Sequence, residues 1–180
     1  MALSDILQTS RHGSVTMIDG TTPTALTYAI RFDRGDFSVS GLSPDMCEII
    51  TFAARHVHIG HAKGAPTYPT MSFSLFVTDY TSGSLTQGTI QDFLHGVSGS
   101  KFASRVTVAS NYDGFACDIR WDADTDEDGS TDNTLTFHGC VVTGYDLSEA
   151  DDGTTITCNA TVYGDGTNYV SGDLTIPMAT

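Results

Sequence analysis

Basic residues and long hydrophobic runs are both scarce in this sequence. Its 180 residues include 8 Lys and Arg against 22 Asp and Glu, which gives a formal net charge of -14. A surface of this sign repels phosphate, so it excludes a nucleic-acid-binding module that depends on a basic stripe. The apolar runs are far too short to span a bilayer as a helix, and we expect no membrane partner. The composition therefore predicts an acidic, soluble globular protein.

Signs of export and of disulfide bonding are also missing. The N-terminal residues MALSDILQTSRHG lack the basic start, apolar stretch and small-residue cleavage site of a secretory signal. We therefore expect assembly in the cytoplasm. An even number of cysteines permits disulfides, but the spacings are wide and no C-x-x-C motif occurs. Reduced packing residues are the expectation for Cys47, Cys117, Cys140 and Cys158.

Motifs of nucleophilic and nucleotide chemistry are absent as well. The sequence contains no G-x-S-x-G, no P-loop, no G-x-G-x-x-G after a strand and no H-E-x-x-H. Each of these patterns places particular side chains or backbone N–H groups where a reaction or a phosphate needs them. We therefore predict neither an enzyme nor a cofactor site.

What the sequence does contain is a series of strand-like runs, of which the clearest pair is a long hairpin over residues 134–163. Alternation of apolar and polar residues predicts half-buried strands. The first run predicts one face with Leu135, Phe137, Gly139 and Val141, opposite a face with Thr134, Thr136, His138 and Cys140. The second predicts a face with Ile156, Cys158, Ala160 and Val162, opposite Thr155, Thr157, Asn159 and Thr161. The acidic segment 146–153 is the predicted connection.

One helix interrupts the strands. The i, i+3, i+4, i+7 spacing of an apolar helix face is present at Ile90, Phe93, Leu94 and Val97. A capping box is predicted at Ser84 and Gln87, and a C-terminal stop at Gly96. The secure part of the predicted helix is 89–95.

These elements define a fold class and a domain organisation. Residues 1–12 form an N-terminal arm that is too short to fold alone, and residues 13–180 form a single domain. The predicted fold is mainly β: a β-sandwich or barrel of about ten strands with one flanking α-helix.

An acidic segment is the sharpest local motif. Aspartates at positions 1, 3 and 5 followed by glycine match the start of a calcium loop, and the candidate ligands are Asp124, Asp126, Asp128 and Asp132. Position 12, where such a loop has a bidentate acid, is Leu135, and no helix flanks the segment. We therefore interpret it as a solvated hairpin tip, with a degenerate calcium site as the alternative.

A histidine cluster is the second candidate metal site. In the pattern H-x-H-x-x-H, His56 and His58 share a strand face, and His61 would come from a loop predicted over residues 60–69. No nearby carboxylate or cysteine in the sequence completes a ligand set. We interpret the histidines as polar residues at a hairpin tip or a subunit contact, so no metal is assigned.

The order of features carries a family resemblance over most of residues 24–170. It consists of an early strand RGDFSVS at 34–40, a long hairpin over 46–80, one helix after YTSGSL, and the closing stretch FHGCVVTGYDLSEADDGTTITCNATVYG. This order resembles the tail tube (major tail) proteins of long, non-contractile-tailed bacteriophages. The acidic insertion at 122–132 and the histidine cluster are not part of the likeness.

The resemblance implies a structural role in the virion. Members are β-barrels or sandwiches with a flanking helix that form hexameric rings, and the rings stack into a hollow tube for DNA. The implied partners are further copies of the chain and the tape measure, tail terminator and distal tail proteins, with assembly in the host cytoplasm. DNA would pass without specific binding, because an acidic wall repels phosphate. The arm 1–12 and the loop near 61–69 would contact neighbouring subunits or rings.

Two other classes stay open. A calcium-dependent β-sandwich surface or adhesion module fits the Asp-rich segment and the tripeptide Arg34-Gly35-Asp36, which matches the integrin-binding motif. A small metal-dependent β-barrel enzyme of cupin type would use the three histidines. Each of these predicts a bound metal, whereas the tube predicts concentration-dependent rings or filaments.

Overall fold

The computed structural model describes residues 14–30, 37–42, 46–50, 58–63, 67–76, 89–102, 104–108, 114–123, 131–150 and 153–178. Within them the chain is mainly β, with antiparallel strands and one short helix, which confirms the predicted fold class. The predicted arm 1–12 and the tripeptide at 34–36 lie outside the described residues.

The described residues form eleven strands and one helix. The strands are β1 Ser14–Ile18, β2 Thr27–Ile30, β3 Ser38–Ser40, β4 Met46–Ile50, β5 His58–Lys63, β6 Thr70–Phe76, β7 Cys117–Ala123, β8 Asn133–Ala150, β9 Gly153–Val162, β10 Asn168–Gly172 and β11 Ile176–Pro177. The helix α1, Ile90–His95, lies between β6 and β7. The main sheet has the order β2-β1-β7-β8-β9-β6-β3, with β10 paired to β8 and β11 paired to β10. Strands β4 and β5 form a separate antiparallel pair.

Strand β8 is the longest element and connects the two halves of the main sheet. Residues 133–140 pair with β7, and residues 140–150 pair with β9. The predicted connection at 146–153 is therefore wrong, because pairing with β9 continues as far as Ala150 opposite Gly153. Acidic residues favour turns, but here Asp146 and Glu149 are exposed on the strand and keep their hydration, so the ladder extends through them.

A β-bulge at Gly139 changes the faces that alternation predicts for β8. Cys117 is opposite Cys140, whereas Ile119 is opposite Phe137, so β8 has one extra residue between these pairs. Gly139 has φ +59, and a Cβ there would lie 2.7 Å from the Gly164 carbonyl oxygen. The extra residue places Phe137 and Cys140 in the core, so the prediction that Cys140 faces away from Phe137 is wrong.

The hydrophobic core lies on one side of the main sheet and includes the helix. Its largest fully buried side chains include Met17, Phe73, Phe93, Phe102, Ile119 and Ile156. Cys117, Cys140 and Cys158 are buried and free, which confirms the packing role expected for these three. Burial raises the pKa of the Cys158 thiol to about 12 and also raises the pKa of the other two, so all three stay uncharged.

Helix α1 begins and ends where local chemistry predicts. Thr89 is the N-cap, and the Asp92 N–H donates to the Thr89 hydroxyl at 3.2 Å while the Thr89 N–H donates to the Asp92 carboxylate at 3.1 Å. Gly96 ends the helix with φ 55, as predicted. The capping box predicted at Ser84 and Gln87 lies outside the described residues. No helix in the described part of the chain is long and apolar enough to cross a membrane.

Candidate functional site

One face of the main sheet has mostly small neutral polar side chains, although the register also places Phe76 and Val141 on it. We call it the polar face; it runs across β3, β6, β9 and residues 141–150 of β8. Residues 71, 73 and 75 of β6 are buried, so the alternating residues lie on the opposite side. The register places side chains from the four strands side by side: Ser38, Ser40, Thr70, Ser72, Ser74, Asp146, Ser148, Thr155, Thr157, Asn159 and Thr161.

Hydroxyl groups on the polar face bind to one another across the strands. The Ser40 and Thr70 hydroxyl oxygens are 2.9 Å apart, and the Ser74 and Thr157 hydroxyl oxygens are 3.0 Å apart. These hydrogen bonds fix the orientation of the hydroxyl groups, and the oxygen lone pairs that they do not use remain available to water. Asp146 is the one charged residue in the set, although the whole chain has a net charge of -14. Among the residues in this set, the negative charge is therefore low.

The polar face is bounded by two strand edges. Strand β3 is the end of the sheet path and pairs with β6 alone among the described strands. Residues 141–150 of β8 pair with β9 on one side, and the pairing with β7 stops at Cys140. We call these the β3 edge and the β8 edge. No strand among the described residues pairs with the outer side of either edge, and a free edge is a template for another strand.

Two large apolar side chains are exposed beside the β8 edge. Tyr145 is opposite Cys158 and Leu147 is opposite Ile156, so both lie on the core side of the sheet. Cys158 and Ile156 are 0% exposed, whereas Tyr145 is 41% and Leu147 is 57% exposed. The core-facing side of β8 is therefore left largely uncovered at Tyr145 and Leu147.

A half-open groove separates this exposed pair from helix α1. Its cavity volume is about 240 Å³, and it is lined by Leu94, His95, Val142, Thr143, Gly144 and Tyr145. His95 Nε2 and the Tyr145 hydroxyl oxygen are 3.1 Å apart at its rim. The rings of His95 and Tyr145 also pack against each other, with centroids 5.4 Å apart. The groove and the exposed pair together form an apolar surface next to an unpaired edge.

The structure describes only part of each candidate metal site. Asp132 is exposed, and its backbone N–H donates to the Ala123 carbonyl at 2.9 Å; Asp124, Asp126 and Asp128 lie outside the described residues. His56 also lies outside them. His61 is in β5 opposite Glu48, and not in a loop as predicted, because β5 continues to Lys63. Within the described residues, no group of three or more His, Cys, Asp or Glu side chains could hold a metal.

Sequence reasoning missed the two edges and the exposed pair. Alternation correctly predicted that Ile156, Cys158, Ala160 and Val162 share the buried face of β9. The sequence pattern placed Tyr145 just before the predicted connection at 146–153 and Leu147 within it, whereas both residues lie on β8 and pair with β9. The signal was present in the alternation of Tyr145, Leu147 and Glu149 with Asp146 and Ser148, which continues the strand pattern.

Comparisons with known proteins give partial structural likenesses but no sequence match. No protein-family model matches the chain, and no curated protein matches its sequence significantly. The SPP1 tail tube, in a hybrid structure from solid-state NMR and cryo-EM, has a TM-score of 0.47 and 10% identity over 89% of this chain and 78% of that chain. A chain of the anti-feeding prophage (AFP) baseplate, in a six-fold symmetrised cryo-EM structure, has a TM-score of 0.46 and 10% identity over 89% of this chain and 92% of that chain. At such low scores, function has to be argued from this chain's own residues.

Proposed function

We propose that this chain is a structural subunit of a bacteriophage tail tube. Copies join into closed rings, six to a ring as the sequence resemblance implies, and the rings stack into a hollow tube through which DNA reaches the host. The observation that carries this proposal is the polar face between two unpaired edges. Neighbouring copies of such a sheet can pair edge to edge, and a series of these contacts can close into a ring.

The polar face has the chemistry of a wall that lets DNA slide. Its hydroxyl and amide groups stay hydrated, and the set contains no Lys or Arg to hold a phosphate. In a closed ring, Asp146 would add one carboxylate per subunit, and its repulsion fades over a Debye length of about 8–10 Å. This differs from the expectation of a strongly acidic wall, since Asp118 on β7 is hydrogen-bonded to His138 and is not in the set. The wall is therefore nearly neutral.

The two edges favour a ring over a symmetric dimer. The β3 edge and the β8 edge belong to different strands, so joining one to the other makes a head-to-tail contact. A contact of this kind generates a ring when its rotation closes, and an open helix when it does not. Burial of Tyr145 and Leu147 supplies apolar contact, at about 2 kcal/mol for a leucine side chain. This contribution opposes the repulsion between subunits that each have a net charge of -14.

The remaining parts of the proposal follow the sequence resemblance. Residues 13–180 form the ring-building domain, and the arm 1–12 contacts the next ring. The tape measure, tail terminator and distal tail proteins are the other partners, and assembly takes place in the host cytoplasm before the protein becomes part of the virion. No enzyme activity belongs to this role.

Electron microscopy tests the proposal directly. Negative-stain images of the purified protein over a range of concentrations should show rings with a central hole or filaments, and their number should rise with concentration. Dispersed monomers at high concentration would contradict the proposal. Removing divalent cations with EDTA should leave the assemblies intact; calcium-dependent melting without rings would instead favour the adhesion module.

A further inference from the structure

Three side chains from three strands meet beside the Gly139 bulge, on the side of the main sheet opposite the core. Ser171 of β10 has its hydroxyl oxygen 2.7 Å from His138 Nε2, and His138 of β8 has its Nδ1 3.1 Å from Asp118 Oδ2 on β7. The two contacts use opposite nitrogens of one imidazole ring. We call these residues the Ser171 relay.

The bulge sets the orientation of the relay. Because Gly139 adopts a positive φ, its backbone N–H points at Asp118 and donates to Oδ1 at 2.9 Å. The other carboxylate oxygen then faces His138 Nδ1. A carboxylate only accepts hydrogen bonds, so Nδ1 carries the proton and Nε2 is left with a lone pair. This tautomer can accept the Ser171 hydroxyl proton.

The surroundings also make His138 a stronger base. Its pKa is raised, first by the hydrogen bond to Asp118 and further by the negative charges of Asp118 and Asp165, while partial burial opposes the rise. Asp118 faces the ring from β7, and Asp165 lies in the connection between β9 and β10. The side chains of His138 and Asp118 are 16% and 24% exposed, and Ser171 is half-buried, so the relay is partly open to solvent.

We propose that Ser171 is a base-activated nucleophile that takes an acyl group from small activated esters. The Ser171 oxygen bonds to the ester carbonyl carbon as its proton passes to His138 Nε2. The bond from that carbon to the leaving oxygen then breaks, and the leaving alcohol takes the proton from His138. Asp118 stabilises the imidazolium and keeps the ring in place. The product is one acyl-serine and one free alcohol.

The relay stands apart from the ring-forming surface. Its residues belong to β7, to residues 133–140 of β8 and to β10, and none of them is part of the polar face or the β8 edge. The same contacts also link three strands, so loss of stability in a variant does not distinguish chemistry from structure. The test must therefore measure covalent reaction at Ser171.

The experiment uses the full-length protein and p-nitrophenyl acetate. We expect one rapid equivalent of p-nitrophenolate per chain and one acetyl group that peptide mass spectrometry locates at Ser171. Proton removal by a positioned base contributes about 10²–10⁴-fold, so Ser171 should react at least about 10²-fold faster than Ser74, whose hydroxyl contacts the Thr157 hydroxyl. The rate should rise with pH as His138 loses its proton.

Three variants separate the outcomes. Ser171→Ala should abolish the rapid equivalent, and His138→Gln and Asp118→Asn should each slow acetylation of Ser171 by about 10²-fold or more. Asp118→Asn provides a second, independent test. Its amide oxygen can still accept a hydrogen bond from the Gly139 N–H, so this variant should fold even if His138→Gln does not. Acetylation of Ser171 no faster than of Ser74, acetyl groups only on histidine or lysine, or an unchanged rate in Asp118→Asn would overturn the proposal.

Discussion

Leu147 and Ile156 are direct cross-strand partners on β8 and β9, yet Ile156 is fully buried and Leu147 is 57% exposed. The two side chains lie on the same side of the sheet, so local sequence does not explain the difference. The next strand, β6, covers Ile156 through Leu75, while no described strand pairs on the far side of Leu147. We infer that a second copy of the chain covers Leu147 in the assembled ring.

Replacing Leu147 should therefore prevent assembly. Leu147→Asp removes about 2 kcal/mol of apolar burial and places a charge in the contact, so the concentration at which half the chains are in rings should rise more than tenfold, by the rule of about 1.4 kcal/mol per tenfold. Leu174→Asp is the matched control, because Leu174 is 52% exposed but lies after β10 and away from the β8 edge. Sedimentation velocity and electron microscopy report the outcome. Equal loss of rings in both variants would contradict the assignment of the edge.

The polar face should become hidden from large molecules when rings stack. Asn159 is exposed on this face, and Asn159→Cys places a thiol there. A small maleimide should modify the thiol in tubes and in separated subunits, whereas a maleimide on a protein-sized carrier should modify it only in separated subunits. The wild-type protein measures the background modification. This should be slow because burial raises the pKa of its three described thiols and so keeps them in the unreactive, protonated form. If the large reagent modified tubes and separated subunits equally, the polar face would lie on the outside of the tube.

Gly139 should be intolerant of any side chain. Its φ of +59 and the approach of Gly164 O and Val108 Cγ1, at 2.7 and 2.9 Å from an added Cβ, predict that Gly139→Ala destabilises the protein by about 1–3 kcal/mol. Gly144→Ala is the control, because nothing lies within 4 Å of its added Cβ. Urea unfolding of both variants measures the difference. A Gly139→Ala protein as stable as Gly144→Ala would show that the bulge relaxes without strain.

His138 should make stability depend on pH. The folded-state pKa is raised above its ordinary value of 6.5, so the folded state binds the proton more tightly than the unfolded state does. The contribution of His138 to the free energy of unfolding is thus fully present below about pH 6.5 and is lost as pH rises through the folded-state pKa. Urea unfolding of the wild type and of His138→Gln at several pH values measures this contribution as the difference between the two. A difference that grows with pH would contradict the assignment.

The arm should be needed for stacking. A protein that lacks residues 1–12 should stay folded, since the described residues from Val15 onward supply a core of their own, but it should not form tubes. Circular dichroism checks folding and electron microscopy checks assembly. Tubes like those of the wild type from this truncated protein would refute the role of the arm.

Much of the local structure was predictable because its signals are local. The period-2 alternation of residues 155–162 predicts the buried side of β9, and the apolar spacing with Gly96 predicts the helix to within one residue of its observed start. The acidic stretch of β8 was not predictable in the same way. Asp, Ser and Glu favour turns in isolation, and only the hydrogen bonds to β9 show that the strand continues.

By itself, the sequence determined the mainly β class, the single short helix, the acidic surface and the packing role of the described cysteines. Each of these depends on composition or on spacing within about ten residues. The tertiary structure decided where β8 ends, how Gly139 shifts its faces, which side chains remain uncovered at the β8 edge, and that Ser171, His138 and Asp118 meet. The Gly139 bulge and the meeting of Ser171, His138 and Asp118 depend on segments 20 to 53 positions apart in the chain, as from Asp118 to His138 and to Ser171. The end of β8 depends on closer pairing, as far as Ala150 opposite Gly153. The register that joins such segments is set by the whole core, so no local pattern contains it.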